Sequence, residues 1–111
     1  MKRFKYAFQG MMILFKKDSK FFMHVLVGIV TIICGWFFQI STLDWLMIVI
    51  AIGLVLAFEA INTAVEYVVD LVTTEYDPLA KHAKDVAAFS VMLASIVALV
   101  IGLVVFLPYL F

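Results

Sequence analysis

Residues 45–70 read WLMIVIAIGLVLAFEAINTAVEYVVD. The first part, 45–58, contains no charged or amide side chain. Glu59, Asn62, Glu66 and Asp70 then follow with no helix breaker between the two parts. A membrane-crossing helix needs roughly 20 mostly apolar residues, so the stretch predicts a spanning helix that ends in carboxylates. At about 100° per residue, Glu59, Asn62, Thr63, Glu66 and Asp70 fall on one broad face. At 1.5 Å per residue this polar stripe is roughly 16 Å tall. About 20 residues down from Trp45 the inner edge of the hydrocarbon falls near Ala64. Glu59 therefore lies about a turn inside the apolar layer, with Glu66 and Asp70 at the aqueous surface.

The rest of the chain fits a bilayer. Of its 111 residues, 67% are hydrophobic and 14% charged, against about 45–50% and 25% in soluble domains. The mean hydropathy is +1.18. Besides 45–71, residues 21–39 and 86–107 are long and apolar enough to span. Residues 3–17 differ. Phe4, Ala7, Phe8, Met11 and Phe15 share one face, with Lys2, Gln9, Lys16 and Lys17 largely on the other, although Ile13 interrupts it. This predicts an amphipathic helix in the membrane interface. The basic start MKRFKYAFQG lacks the apolar core and small-residue cleavage site of a signal peptide. The expected fold is one all-α integral-membrane domain over 1–111, with three spans and a surface helix.

All eight basic residues precede the first span or lie between the second and third. The positive-inside rule then places the N-terminus and the loop 72–85 in the cytoplasm and the C-terminus outside. Trp36 and Trp45 are expected to anchor the outer interface. Asp77 followed by Pro78 reads as N-cap and first helical position. The third span therefore starts below the bilayer, with Lys81, His82, Lys84 and Asp85 on its first turns. The lone Cys34 offers neither a disulfide nor a metal-ligand spacing, and His24 is expected to serve packing.

An intramembrane carboxylate is costly and by default marks a functional site. A stripe that runs from lipid depth to water can bring a lipid-borne group to a water-soluble one. Glu59 could take a proton from an alcohol at headgroup level. Glu66 could hold a hard divalent cation through oxygen, with Asp18, at the cytoplasmic start of the first span, as a second carboxylate. Lys84 could meet phosphate charge. No G-x-x-x-x-G-K-[ST] or G-x-G-x-x-G is present. Two other readings share these residues: a transporter or proton relay through Glu59 and Glu66, and a scaffold in which the stripe joins helices. A relay should continue outward, and 46–58 offers no polar partner.

The pattern Glu59-x-x-Asn62-Thr63-Ala64-x-Glu66-x-x-Val69-Asp70, followed by Glu75-Tyr76 and Ala83-Lys84-Asp85, resembles the signature of the small prokaryotic diacylglycerol kinases. The likeness covers nearly the whole chain, including YAFQG at 6–10. DLVTTEYDPLAKHAKD and FLPYLF resemble the Gram-positive branch, in which the acceptor is undecaprenol rather than diacylglycerol. The resemblance implies an ATP- and Mg2+-dependent lipid kinase, a homotrimer with active sites shared between subunits. It implies Glu59 as catalytic base and Asp18 and Glu66 as metal ligands, Asp18 standing where the family commonly has Glu. Tyr6, Glu75, Tyr76, Asp77, Lys84 and Asp85, with Asp18 and Glu66, match nucleotide-binding positions. Asn62 and Ala88, with Glu59, match positions at the lipid substrate. Gln9 replaces what is often a lysine. Trimerisation is expected because a lone three-span subunit would struggle to shield Glu59, Asn62 and Glu66 from lipid.

Overall fold

The computed structural model describes residues 2–111. They form four helices: α1 (Lys2–Lys17), α2 (Ser19–Phe38), α3 (Thr42–Val72) and α4 (Pro78–Leu110). The last three are long and apolar enough to cross a membrane. The 31 residues of α3 extend about 46 Å, beyond a hydrocarbon layer of about 30 Å, and the bundle measures 52 × 36 × 20 Å.

The starts of α2, α3 and α4 each have a chemical cause. The Asp18 carboxylate accepts from the Lys20 N–H at 3.0 Å and the Phe21 N–H at 3.3 Å, capping α2. Ser41 Oγ accepts from the Asp44 N–H at 3.1 Å, so α3 begins at Thr42, a turn earlier than Trp45. Asp77 accepts from the Leu79 N–H at 2.8 Å and Pro78 opens α4, as the Asp-Pro pair predicts. The α2–α3 corner turns through Gln39 in the left-handed region, φ 53°. There its N–H reaches the Trp36 carbonyl and that of Ile40 reaches Gly35.

The packing uses a seven-residue rhythm. Phe21, Gly28 and Gly35 are the buried residues of α2; Ile48, Ala51, Val55, Glu59 and Asn62 are those of α3. The polar stripe is thus the core stripe of α3 after a change of chemistry. α3 packs chiefly on α4, less on α2, and α1 lies chiefly against α2, with Phe15 edge-on to Phe21. Small residues let α2 approach α3: a Cβ on Gly28 would sit 3.2 Å from Ile52, and one on Gly35 would sit 2.8 Å from the Trp45 ring. Trp45 is therefore partly buried against Gly35 and the Ile40–Ile48–Val105 cluster, a packing role beside the expected anchor, while Trp36 is exposed. At that end Tyr109 Oη donates to Asp44 at 2.9 Å and accepts from the Ser41 N–H at 3.2 Å.

The expected reason for trimerisation needs correction. One chain alone leaves Glu59 only 2% and Asn62 only 4% exposed, because both sit on the packed face of α3. Only Glu66 stays partly open.

Candidate functional site

The contacts Gly35–Trp45, Gly28–Ile52, His24–Glu59 and Asp18–Thr63 run in opposite directions along α2 and α3. This antiparallel register decides what meets what. It carries the start of α2 to the polar half of α3, a pairing that the sequence could not reveal. Asp18 Oδ2 accepts from Thr63 Oγ1 at 2.6 Å, and its charge is within electrostatic reach of Glu59. Partial burial would raise the Asp18 pKa, but donation from Thr63, Phe21 and Lys20 outweighs it and holds the carboxyl below its usual value.

Asn62 bridges the stripe. Its Nδ2 donates to Glu66 Oε1 at 3.3 Å, while its Oδ1 is buried without a partner. A buried carbonyl oxygen so left costs about 1–3 kcal/mol. Glu59, beside it, faces His24, whose Nε2 lies 3.7 Å from Glu59 Oε2.

Lys84, on the first turns of α4, donates to Asp70 at 2.8 Å. This pair ties α4 to the end of α3 and brings the ammonium within electrostatic reach of Glu66. The hydrogen bond to Asp70 raises the Lys84 pKa. Asp85 is held by Lys81 at 2.6 Å, and Asp77 caps α4. Tyr6 and Tyr76 are 63% and 81% exposed and make no hydrogen bond among the described residues; Glu75 is exposed as well. Ala88 is exposed on α4, on the face that continues to Ser95. The fold therefore gathers Asp18, Glu59, Asn62 and Glu66, brings Lys84 near, and leaves Tyr6, Glu75 and Tyr76 outside that cluster. Thr63, Asp70 and His24 join it. Thr63 and Asp70 were visible as members of the stripe, whereas no spacing signals that His24 meets Glu59.

The oxygen donors suit a hard cation only in part. Among the described residues, no three His, Cys, Asp or Glu side chains converge to hold a metal. Asp18, Glu66 and the unpartnered Asn62 Oδ1 offer hard oxygens, and Mg2+ is commonly held by one or two carboxylates completed by substrate phosphates. The residues fit a cation that arrives with a nucleotide.

The sequence profile of the prokaryotic diacylglycerol kinase family matches residues 5–106. The chain belongs to that family. It is a membrane lipid kinase. Among its relatives, the undecaprenol kinase of Bacillus subtilis is 37% identical over 107 residues, covering 96% of this chain and 87% of its own. A diacylglycerol kinase of Synechocystis is 36% identical over 106 residues, 95% of this chain but 61% of its own length. The diacylglycerol kinase of Escherichia coli K12 is 24% identical over 95 residues, 86% of this chain and 78% of its own. For this kinase, the relay and scaffold readings fall away as primary functions.

Proposed function

We propose that the kinase transfers the γ-phosphoryl group of ATP to undecaprenol at the cytoplasmic face of the cell membrane, by direct in-line displacement with Glu59 as general base. The observation that carries this reading is the burial of Glu59 on the packed face of α3, beside Asp18, where lipid depth gives way to the charged end. A carboxylate there can reach a lipid alcohol that stays in the bilayer, while the phosphates of ATP stay in water. The likeness to the Bacillus subtilis enzyme favours undecaprenol. The family's name and the Synechocystis relative support a second reading, diacylglycerol as acceptor.

Glu59 removes the hydroxyl proton as the acceptor oxygen attacks the γ-phosphorus, and ADP departs opposite. Asp18 and Glu66 would hold the Mg2+ that comes with ATP, with Asn62 Oδ1 as a further oxygen donor. When bound, that ion neutralises charge on the phosphate oxygens. Lys84 leaves Asp70 for the phosphates, and Asp85 accompanies it. Tyr6, Glu75, Tyr76 and Asp77 contact the nucleotide, and Ala88 borders the lipid. α1 lies on the membrane surface with its lysines toward anionic headgroups. The working unit is a homotrimer with N-terminus and loop 72–85 inside and C-terminus outside.

The test is phosphate transfer from labelled ATP in mixed micelles, with undecaprenol and diacylglycerol supplied separately, with and without Mg2+. Strong Mg2+-dependent preference for undecaprenol is expected. Preference for diacylglycerol would select the second reading.

A further inference from the structure

Between α2 and α4, over the floor of α3, runs an open groove of ≈ 500 Å3. Its lining is apolar apart from Thr31, Ser95 and one titratable side chain, His24. His24 stands where the groove meets the carboxylate cluster. Its side chain is 26% exposed, and its ion-pair partner among the described residues is Glu59, Nε2 to Oε2 at 3.7 Å. An imidazole in a membrane helix needs a reason, and the surroundings of Glu59 supply one. The charged groups that face Glu59 are Asp18, Glu66 and Lys20. Asp18 and Glu66 carry the same sign as Glu59, and neither can fix its carboxylate by donating when ionised; Lys20 makes no ion pair with it among the described residues. His24, in contact, can donate from Nε2.

We propose that His24 is a positioning residue for the transfer reaction: it holds one carboxylate oxygen of Glu59 so that the other faces the acceptor hydroxyl. The inference rests on the reading of Glu59 as base. At 3.7 Å the pair is longer than a hydrogen bond. Such contacts often tighten only when substrate arrives. The register that sets the pair is fixed one turn up α2, where Gly28 admits Ile52. His24 thus meets Glu59 through backbone packing rather than through a flexible reach.

Three variants separate this role from simple packing: H24L, H24Q and E59Q, each assayed for kcat with saturating lipid alcohol and for the KM of ATP, with oligomeric state checked in detergent. H24L keeps volume and membrane compatibility but cannot donate. Its kcat is expected to fall by roughly 10- to 100-fold, the range for removing a group that orients a reactive side chain, with the KM of ATP unchanged. H24Q, which keeps a donor, is expected to recover most of the loss. Wild-type kcat in H24L would overturn the inference, as would a loss that H24Q does not repair. Full turnover in E59Q would remove the base assignment, and this inference with it. An inactive E59Q beside an unaffected H24L would remove this inference alone.

Discussion

Thr63 decides how firmly Asp18 keeps its charge. With its 2.6 Å hydrogen bond, the carboxyl titrates below the usual carboxylate value. A group depressed in the folded state contributes stability above its unfolded pKa and loses it as the pH falls through the folded value. The Asp18 contacts therefore hold α2 to α3 at neutral pH and weaken only in acid, below about the unfolded value. Removing the Thr63 hydroxyl moves the folded pKa up toward the unfolded value, so the variant lacks part of this stabilisation at neutral pH and has less of it to lose in acid. Thermal unfolding of T63V and wild type in detergent, from neutral to acid pH, checks this: the variant should be less stable at neutral pH and the two curves should converge on the acid side, and a gap that does not narrow in acid would refute it. Two carboxylates of the same stripe divide along another line. E59Q should lose about 100-fold or more of turnover, the scale of general-base catalysis, while still binding nucleotide. E66Q should weaken Mg2+-dependent nucleotide binding. Equilibrium binding of a fluorescent ATP analogue beside the transfer assay separates them, and the reverse pattern would exchange their roles.

Helices two and three meet through glycine, so glycine substitutions report on that contact. A methyl at Gly35 would lie 2.8 Å from the Trp45 ring and 3.1 Å from Ile40. The ring packs against the Ile40–Ile48–Val105 cluster and is stiffer than an aliphatic side chain. At Gly28 the clash is with the flexible Ile52 side chain at 3.2 Å. G35A should destabilise by about 1–3 kcal/mol, the range for overpacking, and G28A by less. Denaturant titration in mixed micelles ranks them, and equal effects would show that Trp45 yields as easily as Ile52. The elements themselves were legible because apolar length and charge punctuation act locally: Asp77-Pro78 starts α4 as its chemistry requires. The early start of α3 came from Ser41 and Asp44, a capping pair hidden in a short link. The packing of Trp45 was not legible, because an outer-end tryptophan reads alike whether it faces lipid or glycine. Neither was the approach of His24 to Glu59, since register between helices is a property of two segments and neither one states it.

At the scale of the proposed homotrimer, the placement of Tyr6 bears on whether sites are shared between subunits. Asp18, Glu59, Asn62 and Glu66 meet within one chain, and Lys84 reaches the same region through Asp70. Tyr6 is exposed on α1, which packs chiefly against α2. If Tyr6 contacts ATP at a neighbour's site, as the shared-site homotrimer implies, then a damaged Tyr6 and a damaged Glu59 lie in different chains of any one site. Two variants each weakened alone, Y6A and E59Q, should then complement when unfolded together and reassembled. With equal random mixing in a cyclic trimer, about a quarter of the sites combine an intact Glu59 with an intact Tyr6. E59Q and E66Q should not complement, because both carboxylates of a site come from one chain and no mixture restores them. Transfer activity of the mixed assemblies, normalised to wild type carried through the same treatment, distinguishes the cases. Recovery only in the Y6A–E59Q mixture would support sites shared between subunits. Failure of that mixture to exceed the Y6A baseline would place Tyr6 at its own chain's site, and recovery in the E59Q–E66Q mixture would divide the carboxylates between chains.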